Sequence, residues 1–177
     1  MSYDPAQGVS ATKTPPISAT EPDWSREAVG PWEWNPGRQL LRALRAYEAL
    51  SASAAPHVRA LRAAIVPQHR FWSAVAGADI PLTTHLGGGL LIPHPTGIVI
   101  HPDAIVGPNC LLFQQVTIGM GRKPGAPRLG GHVDVGAGAK ILGGVTVGDH
   151  AKIGANAVVI NDVPPGATAV GIPAVVR

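Results

Sequence analysis

The stretch LGGHVDVGAGAKILGGVTVGDHAKIGANAVV, residues 129–159, decides the fold. An aliphatic residue returns every six positions, at Leu129, Val135, Ile141, Val147, Ile153 and Val159. A small residue often stands two places earlier, as at Val133, Ala139, Val145, Ala151 and Ala157, and Gly130, Gly136, Gly148 and Gly154 follow the aliphatic. A period of six fits neither a helix, at 3.6, nor a plain strand, at 2. It fits the hexapeptide β-helix, in which short strands and turns wind a prism and the aliphatic side chains stack inside. About three hexads, roughly 18 residues, make one coil, and coils stack at roughly 4.8 Å. The competing fold, a Gly-rich antiparallel sandwich, gives no reason for one fixed period.

Towards the N-terminus the rhythm loosens. Leu86 and Ile92 share a phase, while Ile100, Val106, Leu112 and Ile118 share another, shifted by two. The slip falls around Pro93-His94-Pro95-Thr96-Gly97. A second interruption, MGRKPGAPR from Met120 to Arg128, reads as a loop thrown out of a coil. Loops on a rigid scaffold are where function concentrates. Past Val159, the run from Asn161 to Ala174 is broken by Pro164, Pro165 and Pro173, which stop further coiling.

Upstream lie two helical patterns. Leu40, Leu41, Leu44, Tyr47 and Leu50 make one apolar face, with Arg38, Arg42 and Arg45 elsewhere on the helix and read as solvated. Val58, Leu61, Ala64, Ile65, Phe71, Trp72 and Val75 suggest a second helix, kinked at Pro67 and ended by Gly77. This piece would cap the open end of the β-helix. Trp24, Trp32 and Trp34 are expected to pin the N-terminal segment to the body. The expected organisation is a mobile arm over 1–22, a short α-helical cap over 23–77 and a β-helix over 78–177.

Composition narrows the function classes. The 177 residues suffice for one domain with a core. No apolar run nears the length that spans a bilayer, and no signal peptide is evident, so a cytoplasmic location is expected. The single cysteine, Cys110, excludes an internal disulfide and a Cys-based zinc site. It reads as a small core residue rather than a nucleophile. The formal charge of +3 carries no dense basic run, which leaves nucleic-acid binding with little support.

Five segments resemble the serine acetyltransferase family of hexapeptide acyltransferases: GADIP (77–81), IPHPTGIVI (92–100), FQQVTIG (113–119), VGAGAKILGGVTVGDHAKIGANAVV (135–159) and DVPPGATAVGIPA (162–174). The resemblance covers roughly residues 70–174. It implies a mainly β fold, a left-handed parallel β-helix of hexapeptide repeats with a short N-terminal α-helical segment. It also implies homotrimers with active sites between neighbouring prisms, and transfer of acetyl from acetyl-CoA to the hydroxyl of L-serine, the O-acetylserine step of cysteine biosynthesis. The family's catalytic Asp-His dyad falls on Asp79 and His94. Its coenzyme A groove falls on Gly136, Ala137, Gly154 and Ala155, with Lys152 near the phosphates and Gly119 facing the thioester oxygen.

Three departures stand out. The family's acidic residue before the catalytic His is here Pro93. Its Arg-His pair in the extruded loop is here Gly125 and Ala126, leaving Arg122 or Arg128 to replace the cation. The family's long helical N-terminal domain and the tail that docks cysteine synthase have little counterpart, so a complex with cysteine synthase is doubtful.

The chemistry asks for a base on an alcohol, a cradle for an oxyanion, and alignment. His94 suits the base, since an imidazole near neutrality accepts a proton. Asp79 would hold its tautomer. Taken without the resemblance, His94 is a turn residue between prolines, Asp79 a cap, and the Gly-Ala corners only tight turns. His85, His101, His132 and His150 are expected as turn residues, with no close pair on one coil turn and no metal site. His132, following the extruded loop, could reach the active site. Competing functions are O-acetylation of a sugar, a polysaccharide or another small alcohol, a non-catalytic scaffold, and a zinc lyase, which would need three converging histidines.

Overall fold

Three parallel ladders run down the coil region of the computed structural model, which describes residues 17–177. The first face carries β1 (His85–Leu86), β3 (Ile105–Val106), β6 (Arg128–Leu129) and β9 (Thr146–Val147). The second carries β4 (Leu111–Leu112), β7 (Asp134–Val135), β10 (Lys152–Ile153) and β12 (Thr168–Val170), closed by the antiparallel β13 (Val175–Val176). The third carries β2 (Val99–Ile100), β5 (Thr117–Gly119), β8 (Lys140–Leu142) and β11 (Val158–Val159).

The register follows the sequence period. Lys140 pairs with Val158 and Asp134 with Lys152, each 18 positions on. Both interruptions appear as longer steps. His85 pairs with Ile105, 20 positions on, which accounts for the slip around Pro93–Gly97. Ile105 pairs with Arg128, 23 positions on, so the extruded loop adds five residues without disturbing the stack. Arg128, expected at the loop's end, already belongs to β6.

Side chains alternate in and out as a pleat requires. On the inside, Leu86, Val106, Leu129, Val147 and Val163 form one stack, Ile92, Leu112, Val135, Ile153 and Ala169 a second, and Ile80, Ile100, Ile118, Ile141 and Val159 a third; all are buried. The smaller Ala104, Cys110, Val116, Ala139, Ala151 and Ala157 fill the space near the corners.

Two helices cover the first coil. Helix α1 (Pro36–Ala49) starts at Asn35, whose side chain accepts from the Arg38 amide, with Pro36 supplying the first helical φ. Its Leu40, Leu41 and Leu44 join the same core cluster as the coils. Helix α2 (Pro56–Ala76) carries Pro67 inside one continuous segment and ends at Gly77 in the left-handed region, φ +64°. Only His69 and Ala76 are buried on it.

Two sequence expectations change. Trp32 is 96% exposed and pins nothing, whereas Trp34 meets Trp72 edge-on and Trp24 lies under Arg45. Residues 17–22, expected in a mobile arm, lie against the coils. Asn109 donates to the Ser18 and Glu21 carbonyls at 2.8 and 2.7 Å and accepts from the Asp23 amide at 2.8 Å. Residues 1–16 of that arm lie outside the described residues.

Candidate active site

The corner between the second and third faces gathers most of the candidate residues. His94 lies there, exposed, in the turn from Ile92 to Ile98. Gly97 makes that turn possible with φ +76°, and its amide donates to the Gly77 carbonyl at 2.7 Å. Asp79 opens the third face one coil earlier and bridges to Val99. Its backbone is held on both sides: its amide donates to Ile98 at 2.8 Å and its carbonyl accepts from Ile100 at 3.0 Å. The Asp79 side chain is exposed, and none of the ion pairs among the described residues joins it to His94.

Further down, the same corner holds Gly136-Ala137-Gly138 and Gly154-Ala155-Asn156. Gly138 and Asn156 take the left-handed turn position, with φ +73° and +57°. The Asn156 amide donates to the Ala137 carbonyl at 2.8 Å, which locks one corner onto the next. A Cβ on Gly136 would stand 2.6 Å from the Ala155 nitrogen, so that glycine is required by the stacking itself. Lys152 is exposed at the start of β10, on the second face.

The remaining candidates lie on other corners. Gly119 ends β5 and its carbonyl accepts from the Gly143 amide at 2.9 Å. Beyond it runs the extruded loop, with exposed Arg122, and Arg128 returns on the first face. The loop is clasped: Lys123 donates to Asp162 Oδ1 at 3.1 Å, that oxygen also accepts from the Thr146 amide at 2.9 Å, and the Lys123 carbonyl accepts from Gly144 at 3.1 Å. The Thr146 amide first, and Lys123 second, hold the Asp162 carboxyl below its ordinary range. His132 stands on the corner between the first and second faces, so within one chain it does not join His94.

Cys110 is fully buried and donates to the Gly130 carbonyl at 3.2 Å. Burial pushes its thiol up to about 12. It therefore offers no thiolate for an acyl-enzyme.

Sequence reasoning missed two features. Arg45, read as solvated, is a hub: it donates to both Glu27 oxygens at 3.0 and 2.8 Å, to the Leu86 and Gly87 carbonyls at 2.6 and 2.7 Å, and to Glu48 at 3.1 Å. Burial, the largest single influence, works against its charge, but Glu27 and Glu48 together outweigh it and leave the guanidinium above its ordinary value. The second is a histidine pair. His132 and His150, on successive coils, meet with Nδ1 to Nδ1 at 2.8 Å, a pairing that the search for a close pair on one coil turn did not cover. Their spacing of 18, one coil length, was the available signal.

Comparison with known proteins gives the corner its context. No protein-family model matches the chain. The chain is 36% identical to the serine acetyltransferase of Escherichia coli over 149 residues, 82% of this chain and 46% of the relative. It is 52% identical to that of Synechocystis over 100 residues, 55% of this chain and 40% of the relative. Among solved structures, the soybean serine acetyltransferase apoenzyme superposes with a TM-score of 0.69 at 35% identity, covering 81% of this chain and 58% of that one. A serine acetyltransferase complex with CoA superposes with a TM-score of 0.68 at 32% identity, over 81% and 57%. The chain thus spans about half the length of the curated relatives it matches. With the coil registers and the helical segment both within the matched region, the chain belongs to the serine acetyltransferase family of hexapeptide-repeat, left-handed β-helix proteins.

Proposed function

We propose that this protein is an acetyl-CoA-dependent O-acetyltransferase whose acceptor is the hydroxyl of L-serine. The observation that carries the reading is the shared corner: Asp79 and His94 on neighbouring coils, above a column of Gly-Ala turns in one line. Relatives named serine acetyltransferase, one of them from Neisseria gonorrhoeae solved in complex with serine, support the acceptor.

In this reading His94 takes the hydroxyl proton as the serine oxygen attacks the thioester carbonyl. The C–S bond then breaks, and the imidazolium returns the proton to the leaving thiolate, giving the O-acetyl ester and free CoA. Asp79, unpaired with His94 in the isolated chain, would orient the imidazole once substrate closes the site. The inert Cys110 favours direct transfer over an acyl-enzyme. The Gly136-Ala137 and Gly154-Ala155 corners would seat the pantetheine arm, with Lys152 towards the phosphates. Gly119 would donate to the developing oxyanion.

Gly119 and Arg122 lie at a different corner from His94, so they meet it only when a second copy brings its loop across. That supports a homotrimer with sites between subunits, consistent with a cytoplasmic step in cysteine biosynthesis. No helix among the described residues is long and apolar enough to cross a membrane.

Pro93, Gly125 and Ala126 favour a second reading, in which the chemistry is kept but a sugar or another small alcohol is the acceptor. Free-thiol release from acetyl-CoA, with L-serine and then a panel of sugars and amino alcohols, separates the two. Serine-dependent release is expected. Release with a sugar and none with serine would replace the acceptor, and silence with every acceptor and no acetyl-CoA binding would leave a scaffold.

A further inference from the structure

The corner between the first and second faces repeats one backbone turn down the prism. Its left-handed position is held by Gly89, Asn109, His132, His150 and Gly166, with φ of +77°, +59°, +53°, +60° and +70°. Glycine takes this conformation freely, and asparagine and histidine are among the other residues enriched in it. Two consecutive coils place histidine there. Because coils stack in register, the two rings project side by side, edge to face, with centroids 5.1 Å apart and planes at 78°.

Their Nδ1 atoms stand 2.8 Å apart. One must carry a proton and the other a lone pair, because two N–H donors would point at each other. Neither ring has another side-chain hydrogen bond among the described residues. A metal ion can take the place of the shared proton. Two nitrogens about 2.0 Å from a metal and about 90° apart stand about 2.8 Å from each other, against about 3.3 Å in a tetrahedron. The observed 2.8 Å, the length of the N–H···N bond, also matches adjacent ligands in a square or octahedral sphere, the preference of Cu²⁺ and Ni²⁺. Burial first, and then His150, Arg26 and Lys152, oppose positive charge at His132, while Asp134 favours it; Asp149 accepts from the Gly131 amide at 2.7 Å.

We propose that His132 and His150 form a two-imidazole site for a divalent transition-metal ion of the Cu²⁺ or Ni²⁺ kind, with water completing the coordination. The site lies on a different corner from His94 and is independent of the acetyl-transfer reading.

Titration of the purified full chain with NiCl₂ and CuCl₂, followed by calorimetry and by visible absorption, tests it. One ion per chain is expected for the wild type. His132→Asn and His150→Asn, each placing the residue type of Asn109 in the same turn, should each weaken binding at least tenfold while leaving the circular dichroism unchanged. His101→Asn should bind as the wild type does. Failure of the wild type to bind either ion overturns the proposal, as does binding that survives both His132→Asn and His150→Asn. Should either Asn variant misfold, paramagnetic shifts of the wild-type imidazole signals on adding Ni²⁺ replace it. Selective shifts of these two rings would support the site, and their absence would overturn it.

Discussion

Two corners of this prism use the same left-handed turn for opposite purposes. On the corner between the second and third faces the turn residues are Gly97, Gln115, Gly138 and Asn156, of which Gly97, Gln115 and Asn156 are exposed. On the corner between the first and second faces, Asn109 is buried under residues 18–23 and Gly131 is covered by Ala19. One corner is left open beside His94; the other is closed by the chain itself at Asn109 and Gly131 and opens again at His150. A repeat scaffold separates such tasks because each coil contacts only its neighbours, so a corner can be changed without changing the ladder.

The largest expected effect tests the open corner. His94→Ala should lower acetyl transfer on the order of 10³-fold, the range for removing a general base. His94 is exposed and supports no ladder bond, so the denaturation midpoint should match that of the wild type. Near-wild-type turnover would remove the proposed mechanism, and a large stability loss would show that the open corner also bears structure.

Next comes Arg45→Ala, which tests the closed corner. The change strands Glu27, whose side chain is 7% exposed, as an uncompensated carboxylate. A loss of about 3 kcal/mol in urea denaturation is expected. Glu27 Oε1 also accepts from the Leu90 amide at 3.0 Å, so the damage should reach the first coil and be read there by hydrogen exchange. A change below 1 kcal/mol would mean that the pair only decorates the joint.

Asn109→Ala should cost about 2 kcal/mol, from three lost hydrogen bonds and a strained φ. Asn109→Gly keeps the turn and loses only the hydrogen bonds, so the difference between the two variants measures the strain. In both, limited proteolysis within residues 17–23 should accelerate. Unchanged cleavage would show that the segment is held by other contacts.

The fold was legible because an interior position cannot tolerate a phase error. Val135, Ile141 and Val147 announce the coil, and even the 20- and 23-residue steps show as shifts of phase in the sequence. The corner residues obey the same period but vary in chemistry, so His132 and His150 were read as turn residues, which they are, but not as a pair, although 18 positions is one coil. Arg45 and Glu27 carry no such mark. They are joined by how α1 and the preceding segment pack on the first coil, which no local pattern encodes. Asp79 and His94 were singled out through family resemblance. Without it His94 reads as a turn residue and Asp79 as a cap, and the structure adds that Asp79 bridges to Val99, just past the turn that holds His94.

The smallest expected effect concerns the third corner, where Lys123, Asp162 and Thr146 clasp the extruded loop. The Asp162 carboxyl sits below its ordinary value of 3.8 because it accepts the Thr146 amide and Lys123. A carboxyl lowered by folding stabilises the folded state above its unfolded value and loses that contribution as pH falls through its folded value. Full clasping is therefore expected at neutral pH, with loosening that begins below about pH 4. Because the pair is exposed, the effect on the melting temperature should be small and should shrink further in high salt. Asp162→Asn keeps an oxygen for the Thr146 amide but gives up the charge, so it should melt slightly lower than the wild type at pH 7, with the gap narrowing as pH falls below 3.8. A gap of constant size across that range would assign the clasp to shape rather than charge. The loop, unlike either corner, would then be positioned by its backbone bonds, from Gly144 to Lys123 at one end and from Ile105 to Pro127 at the other.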